Sequence, residues 1–207
     1  MLSNRELPAD FLRKLEDLEQ SYLAASDAIR QSGFSGGPIR WRAEREPILD
    51  AIRSGGDLLD IGCANGYLLE CLVAWGAERG LTLTPHGLDR GAGLIDLARR
   101  RLPQFLGNFH VGCAWDWIPA RRYRYVYTLY DCVPQGYLDE FVERLLSRVV
   151  TPGGRLILGA YGSQSRNEAP FDVSGFLEST GRPAIGRSEG GWLPMSRFAW
   201  FDSGSVR

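Results

Sequence analysis

The sequence predicts an α/β fold: a three-layer sandwich in which a seven-stranded, mostly parallel sheet ends in an antiparallel C-terminal hairpin and is preceded by N-terminal helices. Short apolar segments alternate with helical segments from about position 58 to 161, a pattern typical of a parallel sheet covered on both faces. The first apolar segment is closed by a Gly-rich turn. The last two predicted strands are too close in sequence for a crossover, so they must pair antiparallel.

Composition and length indicate one globular domain with an extension. The chain has 207 residues, of which 44% are apolar and 24% charged, values ordinary for a single soluble domain. We expect an N-terminal helical extension over 1–54 and the main α/β domain over 55–207. No apolar run is long enough to cross a membrane, and the N-terminal sequence lacks the basic and apolar regions of a secretory signal. These observations predict a cytoplasmic protein without membrane contact.

Charge and metal-binding residues exclude several classes of function. The net charge is −1 and no dense basic block occurs, which disfavours a nucleic-acid partner bound mainly through phosphates. The four cysteines contain no Cys-x-x-Cys pair, and only two histidines are present. We therefore expect reduced thiols and no metal site.

Two helices are predicted before the first strand. Residues 8–31 carry an apolar stripe at helical spacing, formed by Phe11, Leu15, Leu18, Tyr22, Ala25 and Ile29. The stripe fits local packing, an active-site lid or a dimer interface, so monomer and homodimer both stay open. The segment 33–38, Gly-Phe-Ser-Gly-Gly-Pro, ends this helix and is a candidate hinge. A second helix is predicted over 40–53.

The remaining elements follow in a regular order. The predicted strands cover 58–61, 81–88, 105–111, 123–129, 155–161, 184–188 and 197–201, and the predicted helices cover 68–75, 94–102, 136–150 and 171–179.

The segment Asp60-Ile61-Gly62-Cys63-Ala64-Asn65-Gly66 carries the functional prediction. A strand that runs through a glycine turn into a helix exposes backbone N–H groups and lets a ligand approach the backbone closely. A dinucleotide fingerprint needs small residues at the first, third and sixth positions. Counted from Gly62, the sixth position is Tyr67, so an NAD-dependent oxidoreductase is disfavoured.

The spacing of Gly62, Ala64 and Gly66 resembles the first motif of the class I S-adenosylmethionine-dependent methyltransferases, which have a Rossmann-like fold. Three further segments match that family in order. Gly87-Leu88-Asp89 ends the second predicted strand, Gly112-Cys113-Ala114 follows the third, and Val150-Thr151-Pro152-Gly153-Gly154 precedes the fifth. The resemblance covers roughly 57–201 and implies that 55–207 is a catalytic domain with S-adenosylmethionine as its cofactor.

The resemblance also implies a set of cofactor-binding residues. Asp60 and the turn of Gly62, Cys63, Ala64 and Gly66 would face the methionine part, and Asp89 would hold the ribose. The remaining implied residues are Arg90, Cys113, Ala114 and Trp115 around the adenine, Leu129 facing the sulfonium, and Trp41 from the N-terminal segment. Arg42 is a candidate to pair with the methionine carboxylate, although a surface position explains it equally well.

Two departures from the family pattern affect this site. Ala64 replaces the middle glycine, a change that the turn absorbs if φ is negative there. Cys113 stands where the family often has an Asp or Asn that accepts from the adenine amino group, and a thiol is a weak acceptor.

No strong general base is evident, and the catalytic residue stays unassigned. The weak candidates are Tyr130, Asp131 and Tyr161. A nucleophilic Cys132 is disfavoured because lone cysteines are mostly small core residues, and both histidines are interpreted as structural.

The predicted function is methyl transfer to a small-molecule acceptor, enclosed by the N-terminal helices and the polar loop 161–170. Two alternatives remain open: an RNA or protein methyltransferase, and a non-catalytic nucleotide-binding module.

Overall fold

The computed structural model describes residues 5–204 and contains a seven-stranded sheet in the order β3-β2-β1-β4-β5-β7-β6. The strands are β1 Gly56–Ile61, β2 Leu83–Asp89, β3 Phe109–Val111, β4 Tyr123–Leu129, β5 Val150–Tyr161, β6 Gly186–Gly190 and β7 Ser196–Asp202. The first five strands pair in parallel, and β7 pairs antiparallel with both β5 and β6. The predicted fold class is confirmed.

The helices cover both faces of the sheet. They are α1 Ala9–Leu23, α2 Pro38–Arg45, α3 Tyr67–Glu78, α4 Ala92–Arg101, α5 Leu138–Arg148 and α6 Val173–Ser179. Neighbouring residues of β1 point to opposite faces, as the pleat requires. Leu58 joins the core beneath α2, α3 and α4, whereas Leu59 joins the core beneath α5 and α6. This arrangement gives the three predicted layers.

The first helix is shorter than predicted. It ends at Leu23, and a separate 3₁₀ turn follows at Arg30–Ser32. The side chain of Asp27 accepts a hydrogen bond from the backbone N–H of Arg30 at 2.9 Å. Asp readily forms such local bonds in place of helical ones, so the apolar stripe continues here without a continuous helix.

The prediction of a second helix over 40–53 was wrong in its C-terminal half. The α-helix ends at Arg45 and becomes a 3₁₀ helix over Glu46–Ala51 because Pro47 cannot continue an α-helix. A proline prevents a helical bond to the carbonyl four residues earlier. That carbonyl, on Ala43, accepts from the N–H of Gly191 at 3.0 Å. The freed end of α2 is thus tied to the C-terminal hairpin.

Two strands differ most from their predicted bounds. Residues 103–108 form a 3₁₀ helix, so β3 is limited to three residues. Strand β5 begins at Val150, and Pro152-Gly153-Gly154 lies within it as an irregularity in its pairing with β4. The N–H of Gly153 donates to the carbonyl of Ser203 at 3.1 Å, and the N–H of Ser203 donates to the carbonyl of Gly154 at 2.7 Å. The motif therefore joins the sheet to the C-terminal segment.

The N-terminal segment is anchored where it enters α1. The carbonyl of Arg5 accepts from the indole N–H of Trp115 at 2.7 Å, and that of Glu6 accepts from the hydroxyl of Tyr137 at 3.0 Å. Leu7 is buried, yet no residue of α1 itself is fully buried. Within 5–204, no helix combines the length and apolarity needed to span a bilayer. The boundary between 54 and 55 stays a prediction.

Candidate functional site

The turn between β1 and α3 has the backbone conformation that its glycines permit. Gly62 has φ +86° and Gly66 has φ +73°, values that favour glycine because it lacks a Cβ. The N–H groups of Gly62 and Cys63 both donate to the carbonyl of Leu88, at 2.8 and 3.1 Å. The turn is thus fixed to the end of β2.

Ala64 does not have the negative φ on which its tolerance was expected to depend. Its φ is +46°, a conformation that costs an L-residue about 1–2 kcal/mol. Its N–H donates to Oδ2 of Asp89 at 2.8 Å. The turn therefore keeps the geometry of a glycine at this position and is held there by the neighbouring strand.

Asp89 connects the first two strands at their carboxyl ends. Besides accepting from Ala64, it accepts from the N–H of Gly91 at 2.8 Å through Oδ1. Burial raises the pKa of this carboxyl, and the two backbone donors act in the opposite direction. A carboxylate with further lone pairs thus faces the cavity beside the turn.

A narrow cavity of about 190 Å³ lies between this turn and α1. It is enclosed by one side of α1, the first turn, the end of β2, the segment after β3 and the end of β4. Its lining residues are Leu15, Glu16, Leu18, Glu19, Tyr22, Gly62, Ala64, Leu88, Asp89, Arg90, Gly91, Leu94, Gly112, Cys113, Ala114, Leu129, Asp131 and Cys132. Small-molecule sites usually measure about 300–1,000 Å³, so this cavity is smaller than the usual range.

A second cavity of about 790 Å³ adjoins the first. Its walls come from α2, the segment before it, Asp60 and Cys63 of the turn region, the strand ends of β4 and β5, and the loop 162–166. The two cavities share Leu18, Tyr22, Gly62, Ala64, Leu129 and Asp131. Together they form a continuous groove along the carboxyl edge of the sheet, the usual ligand position in open α/β folds.

Most of the predicted cofactor residues meet at this groove. Arg90 lines the narrow cavity and pairs with Glu16 of α1 at 2.7 Å. Cys113 and Ala114 line the same cavity, and burial raises the pKa of the Cys113 thiol. Trp41 is buried on α2 and lines the larger cavity.

Gly66 and Trp115 line neither cavity of this groove. An added Cβ on Gly66 would lie 2.8 Å from Cβ of Ala98, so this glycine allows α4 to approach the turn. Trp115 is buried and directs its indole N–H to the carbonyl of Arg5. Both residues support the groove from behind.

Asp60 is an unusual group at the floor of the larger cavity. It is 3% exposed, and burial together with the nearby Asp89 raises its pKa to about 8. Its carboxyl is therefore largely protonated at neutral pH in the free protein, and a bound cation would favour its ionised form. Burial also raises the pKa of the Cys63 thiol well above its usual range.

The three catalytic candidates have different surroundings. Asp131 is at the junction of the two cavities. The hydroxyl of Tyr161 lies 3.0 Å from that of Tyr127, and burial raises the pKa of Tyr161. Tyr130 stacks on Phe171 with ring centroids 4.5 Å apart and lines neither cavity. Asp131 thus borders both cavities, and Tyr161 borders the larger one.

The remaining reactive side chains are held in structural contacts. Cys132 donates to the carbonyl of Ile61 at 3.5 Å, and burial raises its thiol pKa to about 12, so it is a poor nucleophile. His86 is buried between Asp57 and Arg121, at 3.4 and 3.3 Å. No cluster of metal-ligating side chains occurs among residues 5–204.

The sequence left one part of the groove open and missed another. The open part is the α1 surface with Tyr22, for which local packing, a lid and a dimer interface were all compatible; the hydroxyl pKa of Tyr22 is raised to about 12, chiefly by burial. The other is Arg45. The sequence singled out Arg42, but Arg42 points away from the groove to Glu46 and Glu78, at 2.7 and 2.5 Å.

Comparisons with known proteins agree with this architecture. No family model matches the sequence, and no curated protein does. An S-adenosylmethionine-dependent methyltransferase from Aquifex aeolicus superposes with a TM-score of 0.60 at 17% identity, over 86% of this chain and all (100%) of that one. A methyltransferase from Geobacter sulfurreducens, in complex with S-adenosyl-L-homocysteine, has a TM-score of 0.55 at 14% identity, over 83% and 73%.

A third similar structure is an O-methyltransferase family 2 protein from Planctomyces limnophilus, in complex with apigenin. Its TM-score is 0.58 at 14% identity, and the match covers 91% of this chain and 65% of that one. The chain has the class I methyltransferase fold. In this chain, the glycine turn, Asp89 and the end of β4 meet on one edge of the sheet.

Proposed function

We propose that this chain binds S-adenosylmethionine and transfers its methyl group to a small-molecule acceptor. The observation that carries the proposal is the bond from the Ala64 N–H to Asp89, which fixes the Gly-rich turn beside a carboxylate at the cavity wall. Such a carboxylate accepts from two ribose hydroxyls at once, whereas the turn has the wrong glycine spacing for a dinucleotide.

We assign the nucleoside to the narrow cavity. Asp89 would hold the ribose, and Arg90, Cys113 and Ala114 would surround the adenine. Among the described residues, Nη1 of Arg90 is buried without a hydrogen-bond partner. The Arg90 side chain can therefore donate a hydrogen bond to a polar ligand. Trp115 and Gly66 would act indirectly, by supporting the wall.

The junction of the cavities fits the reacting centre. S-adenosylmethionine supplies a sulfonium methyl group that passes to a nucleophile by in-line displacement, leaving a neutral thioether, while the acceptor loses a proton. Leu129 would pack against this centre, and the carboxylate of Asp131 would stabilise its positive charge or take the acceptor's proton. Asp60 would face the ammonium of the methionine part. Much of the rate gain would come from holding the two reactants in line.

The larger cavity favours a small acceptor over a macromolecule. It is enclosed by α1, α2 and the loop after β5, and aromatic side chains such as Phe34, Trp41 and Tyr127 line it. The net charge of −1 offers no electrostatic support for RNA. We propose that residues 1–54 cover the catalytic domain, 55–207, and close over both ligands. A binding module would be recognised by cofactor binding without turnover.

The test is transfer of radiolabelled methyl from S-adenosylmethionine to a panel of hydroxyl, amine and thiol acceptors. We expect turnover of at least one small acceptor, and a lower kcat in Asp131→Asn with unchanged affinity for S-adenosyl-L-homocysteine. Tyr130→Phe is the matched control, since that ring lies outside the groove. Cofactor binding without any turnover would contradict the catalytic proposal and favour a binding module.

A further inference from the structure

Arg45 is a buried cation at the far end of the larger cavity. It is 4% exposed and lines the cavity wall. Its guanidinium lies over three aromatic rings, 4.1 Å from the centroid of Phe34, 4.0 Å from Trp41 and 4.4 Å from Tyr161. These rings fix the position of the guanidinium and favour its positive charge. They accept no conventional hydrogen bonds from the N–H groups at its edge.

The hydrogen-bonding capacity of Arg45 is not used within the described chain. Its Nη1 atom is buried without a hydrogen-bond partner in residues 5–204. The nearest carboxylate oxygen, Oε2 of Glu44, is 3.6 Å away, beyond hydrogen-bonding distance. Glu44 already accepts from Nε of Arg40 at 2.6 Å. Buried donors of this kind are normally satisfied, so Arg45 has a donor available for an acceptor group of a ligand.

The charges along the cavity are separated. At the far end, Arg40 and Arg45 share the single carboxylate of Glu44, which leaves an excess positive charge. Asp131 lines the same cavity at its junction with the narrow cavity. Asp60 adds little negative charge near neutrality, because burial and Asp89 raise its pKa to about 8. Arg166, on the loop, is paired with Glu168 at 2.8 Å.

One side of the Arg45 site, at Tyr161, lies two strands away from the first turn. Tyr161 ends β5, and β4 lies between β5 and β1. Two strand spacings amount to about 9–10 Å. Asp131 follows β4, the strand next to β5, so a small molecule bound at Arg45 can lie along Tyr127 and reach Asp131, where the methyl group would be transferred.

We infer that Arg45 receives the carboxylate of a small acceptor with an apolar or aromatic body, whose nucleophilic atom lies at the cavity junction. This inference rests on the proposed methyltransferase function and names its substrate class. An arginine fork matches a carboxylate with two parallel hydrogen bonds, and the aromatic walls suit the body of the molecule. The other carboxylate that Arg45 could bind is that of the methionine part of the cofactor.

The experiment uses hydroxy- and amino-substituted benzoates and phenylacetates, each beside its primary amide. Binding is measured by calorimetry on the protein saturated with S-adenosyl-L-homocysteine. We expect at least one acid to bind about 10-fold or more tightly than its amide, and Arg45→Met to lose this preference, since charge-assisted bonds contribute roughly 10- to 100-fold. Arg45→Lys should recover part of it. Arg42→Met is the matched control, because Arg42 points away from the groove.

Two further measurements separate a binding role from a packing role. Met fills a similar volume and removes a buried charge that lacks a hydrogen-bonded partner, so Arg45→Met should keep or raise the thermal unfolding midpoint. A large fall in the midpoint with unchanged ligand preference would assign Arg45 to packing and overturn the inference. A loss of S-adenosyl-L-homocysteine affinity in Arg45→Met would assign it to the methionine carboxylate and overturn the acceptor assignment.

Different results would contradict the carboxylate site and the methyltransferase function. If the sulfur nucleotide binds but no acid is preferred over its amide, the inference fails and the cofactor assignment stands. If the sulfur nucleotide does not bind, the proposed function fails. The acids are then titrated into the protein alone, where a preference that depends on Arg45 would support the anion site by itself.

Discussion

Replacing Gly66 with Ala adds a methyl group between the first turn and α4. The new Cβ would lie 2.8 Å from Cβ and 3.1 Å from Cα of Ala98, and the residue would have to keep φ +73°. Two costs are expected: about 1–2 kcal/mol for the left-handed backbone and about 1–3 kcal/mol for overpacking. The variant should therefore lose about 2–5 kcal/mol of its free energy of unfolding.

Gly80→Ala is the matched control. Gly80 has φ +74°, but an added Cβ meets nothing within 4 Å, so only the backbone cost of about 1–2 kcal/mol applies. Urea unfolding with linear extrapolation measures both variants. Equal losses in the two variants would refute the reasoning, because the contact between the turn and α4 would then contribute nothing.

Three further predictions concern the groove itself. Gly62→Ala should lose at least as much stability as Gly80→Ala, because a contact of 3.0 Å with Sγ of Cys132 adds to the same backbone cost. It should also lower the affinity for S-adenosyl-L-homocysteine at least 10-fold, because its Cβ would enter the wall shared by both cavities; calorimetry that shows wild-type affinity would contradict this. The folded-state pKa of Asp60, about 8, is above its unfolded value, so the folded protein holds a proton that the unfolded chain releases. Its contribution to stability is fully present below pH 4 and is lost as the pH rises to about 8. Subtracting the Asp60→Asn unfolding curve from the wild-type curve should reveal a slope of up to about 1.4 kcal/mol per pH unit, and a flat difference would show that Asp60 is not perturbed. Deuterium exchange of the α1 amides should slow when S-adenosyl-L-homocysteine binds, because α1 covers the narrow cavity, whereas unchanged exchange in α1 would remove it as a cover.

The sequence was sufficient to predict the sheet because short apolar segments, such as those of β1 and β4, alternate with helical segments along the chain. It also located the turn and Asp89, since their spacing reflects the join between β1 and β2. It did not locate the end of α2, where Pro47 releases the Ala43 carbonyl to a partner almost 150 residues away in sequence. Such a bond depends on tertiary contact and has no local signal.

The same limit applies to the side chains of the groove. Arg42 and Arg45 are on one helix, and only the packing of Phe34, Trp41 and Tyr161 determines that Arg45 faces the cavity. The apolar stripe of α1 was visible in the sequence, but its position over the narrow cavity was not. The positive φ of Ala64 follows from its bond to Asp89, which a residue preference alone would not predict.

Calorimetric titration with S-adenosylmethionine, S-adenosyl-L-homocysteine and NAD tests the central claim most directly. We expect both sulfur nucleotides to bind and NAD not to bind. Asp89→Ala should weaken the binding of both sulfur nucleotides by about 1–3 kcal/mol, the cost of leaving hydrogen-bonding groups unpaired. Absence of binding by either sulfur nucleotide, or an unchanged affinity in Asp89→Ala, would contradict the claim.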